Sequence, residues 1–278
     1  IKDLPYTFME NIKYDFFRNI INNININILE HGYYKGDESW RYYDVFSPFN
    51  RIYFMVAGEG RVETQNETVI LEPGKMYVIP PNIKFNVVCD NYIEKFYIHF
   101  NAVLFSGIDL FDGIGRCIYA EIDNHWLKEF LNCAKSNSLA DIFNCKAMLF
   151  EAMSVFLNQL SLDIGTTFSI NFKYGQIHTF INENLSAALT SKKVAEALNL
   201  SHSSLIKKYK KDTGITLNSY IRNALLKRAI EKLLFTDASI KEIAFDLKFT
   251  DEFYFSRFFK KHIGFSPREY KAANKFKI

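Results

Sequence analysis

Between about residues 20 and 101 apolar and polar positions alternate with a period of two. "NININI" does so strictly, and "RIYFMVAGEGRVETQNETVILEPGKMYVIPP" breaks into short apolar runs punctuated by Gly, Asn and Pro. Successive side chains on a strand point to opposite faces, so the pattern predicts strands near 52–56, 60–64, 67–71, 76–79, 84–88 and 94–101. Short turns between them predict a small antiparallel barrel or sandwich. The period then changes. "HWLKEFLNCAKSNSLADIFNCKAMLFEAMSVFLNQL" reads as two helices, roughly 124–135 and 139–160, with Leu149, Met153, Phe156, Leu157 and Leu160 at three- and four-residue spacing. That stripe suits an intramolecular core and a seam between two subunits equally well. "SLDIGTTFSINFKYG" (161–175) has weak periodicity and reads as a linker.

From residue 174 the pattern is helical throughout, with stop and start signals at regular points. Thr190 or Ser191 caps one helix, Ser201 caps the next, and Gly214 ends it. "TLNSYIRNALLKRAIEKLLF" is a longer helix, after which the pattern recurs. "VAEALNLSHSSLIKKYKKDTG" (194–214) and "IAFDLKFTDEFYFSRFFKKHIG" (243–264) share an Ala in second place, a break, a Ser or Thr cap, an apolar and basic helix, and a final Gly. Two helix–turn–helix units joined by a long helix is the simplest account.

At 100° per residue, Phe255, Phe258, Phe259, His262 and Ile263 form one continuous arc of the second unit's last helix, which is its core side. Phe253, Tyr254, Arg257, Lys260 and Lys261 fall on the opposite side. The first unit sorts the same way. Leu205 and Tyr209 face inward, Ser203, Lys207, Lys210 and Lys211 outward, with Ser204 and Ile206 at the margins. Lysines at the C-terminal end of such a helix suit phosphate, which positions a protein without specifying sequence. Aromatic side chains in the first turn, on the face of Arg257, suit thymine methyls or sugar, and Arg257 suits guanine O6 and N7.

Charge sharpens this picture. The formal net charge is +3, yet residues 171–278 hold 20 Lys and Arg against 10 Asp and Glu, while residues 1–170 hold 14 against 21. A basic last third beside an acidic remainder implies a polyanionic partner for one part only. No run of about 18 apolar residues suggests a transmembrane helix, and the first residues lack the order of a signal peptide. Cys89, Cys117, Cys133 and Cys145 form no CxxC pair, so free thiols in a reducing cytoplasm are expected.

"SIKEIAFDLKFTDEFYFSRFFKKHIGFSPREYKAA" and "LNLSHSSLIKKYKKDTGITLNSYI" resemble the DNA-binding domain of the AraC/XylS family of bacterial transcription regulators, over residues 174–278. The resemblance implies DNA contacts from Ser203, Ser204, Ile206, Lys207, Lys208, Phe253, Tyr254, Arg257, Lys260 and Lys261. It implies double-stranded promoter DNA as partner, a homodimer, RNA polymerase as a further partner, and a cytoplasmic activator. Two positions depart from the family's habit: Lys248 stands where Gly is usual, and Leu225 where Arg is usual.

For residues 1–160 the resemblance implies a cupin-like barrel that senses a small molecule and supports dimerisation, followed by a linker at 161–173. A metal-dependent cupin enzyme needs clustered His and Glu, but "PPNIKF" has Phe85 where a ligand His would stand, and no HxH occurs. No metal, cofactor or catalytic residue is therefore assigned. "HGYYKGDESWRYYD" (31–44) gathers aromatic and polar groups suited to a small molecule, and His31, Trp40, Arg41 and Tyr43 are the effector candidates. A sugar or related saccharide is the effector that the family's habit suggests. Two alternatives stay open: a cupin enzyme fused to a DNA-targeting module, and a DNA-binder that needs no effector.

Overall fold

The computed structural model describes residues 18, 21–22, 24–104, 108–160 and 164–274. It has a sheet-rich N-terminal part and a helical C-terminal part. The strands are β1 (Ile24–Asp37), β2 (Arg41–Phe46), β3 (Asn50–Gly58), β4 (Gly60–Glu63), β5 (Thr68–Leu71), β6 (Lys75–Ile79), β7 (Lys84–Val88), β8 (Tyr92–Leu104), β9 (Ile108–Asp109) and β10 (Ile118–Glu121). They form two antiparallel sheets, ordered β1-β8-β3-β6-β10 with β9 beside β8, and β2-β7-β4-β5. Among the described residues no ladder joins the two sheets, so the expected barrel is an open sandwich. The chain changes sheets between β3 and β4, at Gly58, whose φ is +73°. A Cβ there would lie 2.1 Å from the Tyr92 carbonyl oxygen, so only glycine fits this corner.

Strand alternation divides the larger sheet into two faces. Ile52, Phe54, Met76, Val78, Phe96 and Ile98 pack against the helices α1 (Asn124–Lys135) and α2 (Leu139–Leu160), through Leu127, Phe130, Leu149, Met153 and Phe156. Tyr53, Met55, Tyr77 and Ile79 face the other way, onto Val62, Leu71, Phe85 and Val87 of the smaller sheet and Trp40 just before it. Each such side chain contributes about 1.5–3 kcal/mol when fully buried. The α2 stripe is thus intramolecular core, with Leu157 and Leu160 half-buried at its edge.

The C-terminal helices are α3 (Ile164–Glu183), α4 (Ser191–Ala197), α5 (His202–Thr213), α6 (Leu217–Phe235), α7 (Ile240–Asp246), α8 (Glu252–Ile263) and α9 (Pro267–Asn274). The stretch read as a linker is therefore helical from Ile164 onward, while 161–163 lie outside the described residues. Extending a formed helix adds one hydrogen bond per residue, so a weakly patterned segment joins the strongly patterned one that follows. α4 and α5 pack with α3 and the first turns of α6 around Ile181, Val194, Leu205, Tyr209 and Ile221. α7 and α8 pack with the rest of α6 around Leu226, Ile230, Ile243, Phe255 and Phe259.

The two helical parts repeat each other in detail. Thr190 and Ser239 cap α4 and α7, with a reciprocal bond from Glu242 at α7. The turns that follow each hold a non-glycine residue at positive φ, Asn199 at 53° and Lys248 at 57°. Ser201 occupies the cap position of α5, but Asp251, one residue beyond the expected Thr250, caps α8 by accepting from Tyr254 N at 2.6 Å. Its carboxylate is the stronger acceptor at a helix N-terminus. Gly214 and Gly264 close α5 and α8 with φ of 77° and 91°.

The two parts share a core. Phe49, just before β3, is 1% exposed and belongs to the cluster of α6, α7 and α8, with its ring 5.5 Å from Phe235. Tyr270 of α9 donates its hydroxyl to the Phe46 carbonyl at 2.6 Å, and Asn101 Nδ2 donates to Glu231 Oε1 at 3.0 Å.

Candidate nucleic-acid interface and inner cavity

Burial of Leu205 and Tyr209 fixes which side of α5 faces out: Ser203, Ser204, Ile206, Lys207 and Lys208 are all exposed. Burial of Phe255 and Phe259 does the same for α8, leaving Phe253, Tyr254, Arg257, Lys260 and Lys261 exposed. The helices correspond at an offset of fifty positions, so Ser203 matches Phe253, Ser204 matches Tyr254, and Lys207 matches Arg257. All ten sequence-assigned residues are exposed, and three pairs of them correspond, while Lys208 and Ile206 match the half-buried Phe258 and Ser256.

Phe253 is 68% exposed and Tyr254 48%. Tyr254 leans its ring on Phe249 of the preceding turn, at 5.8 Å. Phe245, on the outer side of α7, is 80% exposed and was not singled out in the sequence, where it reads as one more apolar helix position. His262, assigned to the apolar arc, is exposed, with its ring 5.0 Å from the half-buried Phe258. Burial, Arg222 and Lys261 hold its pKa below the ordinary histidine value.

The second feature is a small cavity between the sheets, lined by Tyr34, Trp40, Tyr53, Phe85, Arg51, Lys95 and His99 among others. Lys95, Tyr97 and His99 alternate along β8 onto the inner face, opposite Met55, Tyr53 and Arg51 of β3. Lys95 is 3% exposed, and its ammonium lies 3.3 Å from the ring centre of Tyr53 and 3.9 Å from that of Trp40. Burial, reinforced by Arg51, pushes its pKa well below the ordinary lysine range. Arg51 donates to Ser47 Oγ at 2.7 Å and lies 3.0 Å from His99 Nε2. Arginine has no acceptor, so His99 Nε2 accepts and its proton sits on Nδ1; Glu30 Oε2 lies 3.3 Å from Nδ1 but out of line for a hydrogen bond. Burial, Arg51 and Lys95 all keep His99 neutral.

Of the four effector candidates only Trp40 reaches this cavity. Residues on β2 point alternately in and out, which sends Arg41 to the surface, donating to Asp90 at 2.9 Å and the Cys89 carbonyl at 3.3 Å. Tyr43 is exposed, and His31 stacks on Phe96 at 6.0 Å on the helix-covered side of β1. Arg51, Lys95 and His99 were missed. Their signal is the alternation in "EKFYIHFNA": its polar face reads as the solvent side, but a second sheet covers it. Among the described residues no group of three or more His, Cys, Asp or Glu side chains is arranged to hold a metal ion, and no helix is long and apolar enough to cross a membrane.

A helix-turn-helix domain family matches residues 194–273, which takes in both helix pairs. The Msm operon regulatory protein of Streptococcus mutans is 22% identical over 90% of this chain and 94% of its own length. Residues 194–273 therefore carry a helix-turn-helix domain of the AraC type. The transcriptional activator RhaS of Salmonella schwarzengrund is 31% identical over 45% of this chain, a match that spans less than half of RhaS. Over its whole fold the chain is similar to ToxT of Vibrio cholerae, with a TM-score of 0.56, 12% identity, and coverage of 89% of this chain and 98% of that one. Within the family's pattern, the Lys248 departure falls on the left-handed turn residue, and Leu225 is buried in the α6 core.

Proposed function

We propose that this regulator reads promoter DNA with α5 and α8 and responds to a small effector held by its N-terminal domain, acting in the cytoplasm as an activating homodimer that works with RNA polymerase. Residues 1–160 are the sensing and dimerisation domain and 174–278 the DNA-binding domain. The observation that carries this reading is the pair of matching outward faces, each with a basic side chain at the same place, Lys207 and Arg257, and lysines near its C-terminal end. The lysines neutralise phosphate and set affinity, while the N-terminal turns meet base edges. Phe253 and Tyr254, too exposed to serve a core, supply apolar contact to thymine methyls or sugars.

Gel-shift titration against the promoter and against unrelated DNA tests this. Arg257→Ala should cost about 1–3 kcal/mol on the promoter and relax preference at one base pair. Lys261→Ala should weaken every sequence alike and flatten the salt dependence by about one ion. An identical loss on all DNA for Arg257→Ala assigns that residue to phosphate, and no preference for any promoter sequence in the intact chain overturns the reading. The sensor half draws support from the sandwich cavity, and a saccharide remains the effector class suggested by family habit. The cavity's ring walls and fixed polar groups are of the kind that hold small molecules, with a free volume of about 20 Å³ between the sheets as they stand.

A further inference from the structure

We propose that the cleft between the larger sheet and helix α6 is a site for an uncharged, hydroxyl-rich molecule of one or two sugar-sized rings, and that such a molecule fixes α6 against the sandwich. The proposal rests on the reading of this chain as a ligand-responsive regulator. It puts a ligand outside the sandwich and names its chemistry.

Two polar faces meet across this cleft. On α6, Tyr220, Asn223, Ala224, Lys227, Arg228 and Glu231 recur at three- and four-residue spacing, so they form one stripe, and all six line the cleft. On β1, Asn25 and Asn27 alternate with Ile24, Ile26 and Ile28, and Asn27 stands opposite Asn101 of β8 in the ladder. Both asparagines line the cleft, while Ile26 packs on the helix-covered side of the sheet. The last residue of the α6 stripe is already held, since Asn101 Nδ2 donates to Glu231 Oε1 at 3.0 Å. The gap beyond it holds about 660 Å³, against about 20 Å³ between the sheets. Small-molecule sites run from roughly 300 to 1,000 Å³.

The charges in the cleft are answered among themselves. Asp109 accepts from Asn50 and from the amides of Ala102 and Phe111, Asp112 accepts from Asn82 at 3.0 Å, and Arg228 lies 3.8 Å from Glu231. Both signs are present, so an anion meets Asp112 and Glu231, and a cation meets Lys227 and Arg228. What is left over is neutral. Asn101 Oδ1 and the Tyr220 hydroxyl are buried without a hydrogen-bond partner, in residues that are 4% and 9% exposed. The Tyr220 ring stacks on His178 at 4.5 Å, which leaves its hydroxyl end at the floor of the cleft, on the side of Asp112. Burial, and after it the Asp112 carboxylate, raise the pKa of that hydroxyl, so it stays protonated and able to donate.

A buried donor and a buried acceptor without partners cost free energy until a partner arrives. A hydroxyl donates and accepts at one atom, so a polyol answers a carboxamide oxygen and a phenol alike. The carboxamides of Asn25, Asn27, Asn182 and Asn223 each add a donor and an acceptor for adjacent hydroxyls. Pro48, Pro81, Val103 and Leu185 form the apolar wall on which the carbon face of a ring lies. Helix α6 meets the sandwich near its C-terminal end, through Glu231 and Phe235, beside the second helix–turn–helix unit. A ligand in the cleft adds a hold at Tyr220 and Asn223, beside the first unit, and so sets the two reading helices in one relative pose.

Calorimetric titration of the full chain tests the site with glucose, galactose, sucrose and lactose, and with glucuronate and glucosamine as charged controls. At least one neutral sugar should bind at least about tenfold more tightly than either charged control. Tyr220→Phe removes only a hydroxyl that the protein itself leaves unpaired. The variant should melt no lower than wild type and bind the sugar about tenfold more weakly. Ala224→Phe, which fills the cleft from α6, should abolish binding, while Asn144→Ala on the exposed side of α2 should leave it unchanged. The proposal is overturned if no neutral sugar binds at its solubility limit, so that the cleft holds water alone, or if the charged controls bind as well. It is equally overturned if Tyr220→Phe binds like wild type or melts lower. Sugar binding that survives both Tyr220→Phe and Ala224→Phe belongs to another part of the chain and leaves the sensor reading standing. Sugar binding that is lost in these variants, yet leaves promoter affinity in a gel shift unchanged, keeps the cleft and sinks the sensor reading.

Discussion

Lys248 turns the chain between α7 and α8 at a φ of 57°, in the region that favours glycine. A side chain held left-handed costs about 1–2 kcal/mol, and part of any gain from glycine is lost to its freer unfolded chain. Lys248→Gly should therefore raise stability by about 0.5–1 kcal/mol, read as a higher urea midpoint at unchanged slope. A lower midpoint would mean that the lysine is held by contacts that outweigh the strain. Asn199, at the matching place, tolerates this conformation better, and its replacement by Ala should destabilise. At this scale the sequence was legible wherever a residue's role depends on its near neighbours. The caps other than that of α8, the two closing glycines and the inward side of α8 apart from His262 follow from spacing alone. Arg41 was not legible in this way, because its direction depends on the register of β2 against β7 and a bulge between Tyr42 and Val45.

Helix α2 begins with an apolar group that its own core does not use. Leu139, Ile142 and Phe143 are exposed, Phe143 at 68%, although the rest of the helix packs on the sheet. Such a patch is what a self-associating surface needs, and it moves the expected dimer seam from the middle of α2 to its first turns. Phe143→Ser should shift sedimentation toward monomer with the melting temperature nearly unchanged; a stable dimer in this variant would place the seam elsewhere. The bundle of α3, α5 and α6 carries a different liability. His178 is fully buried, stacked on Tyr220 at 4.5 Å and 3.0 Å from the Tyr209 hydroxyl. Burial lowers its pKa from 6.5 to about 4. Above pH 6.5 the ring is neutral folded or unfolded and its contribution is complete. As pH falls from 6.5 to 4 the unfolded chain takes up a proton that the folded one refuses, removing on the order of 3 kcal/mol. Urea melts across this window should show His178→Phe losing less stability than wild type on acidification; parallel curves would assign the acid loss to other groups. Apart from the first half of α3, which reads as a linker, the helices were visible to within a residue or two, because the period of 3.6 is a local property. The covering of one sheet by another is not, which is why the polar stripe of β8 reads as solvent-facing.

At the scale of the molecule, the two halves were legible through the change of period and the change of charge, but their union was not. Phe49 stands among the strands in sequence and among the helices in space. Phe49→Ala should cost about 3–5 kcal/mol in a chain that melts as one unit. Calorimetry that shows a cost below 1 kcal/mol would mean that the halves are independent bodies. Tyr270→Phe, a milder change, removes only the bond to the Phe46 carbonyl and should cost about 1 kcal/mol. That one bond joins residues 224 positions apart. Its closure must wait until both halves have been made and folded, since contacts so distant along the chain repay their loop entropy last. A nascent chain that has not yet made α6 to α8 would carry Phe49 bare on the surface of an otherwise finished sandwich. Refolding should therefore show a late, slow docking phase, and during synthesis the N-terminal half is the one in need of a chaperone's cover.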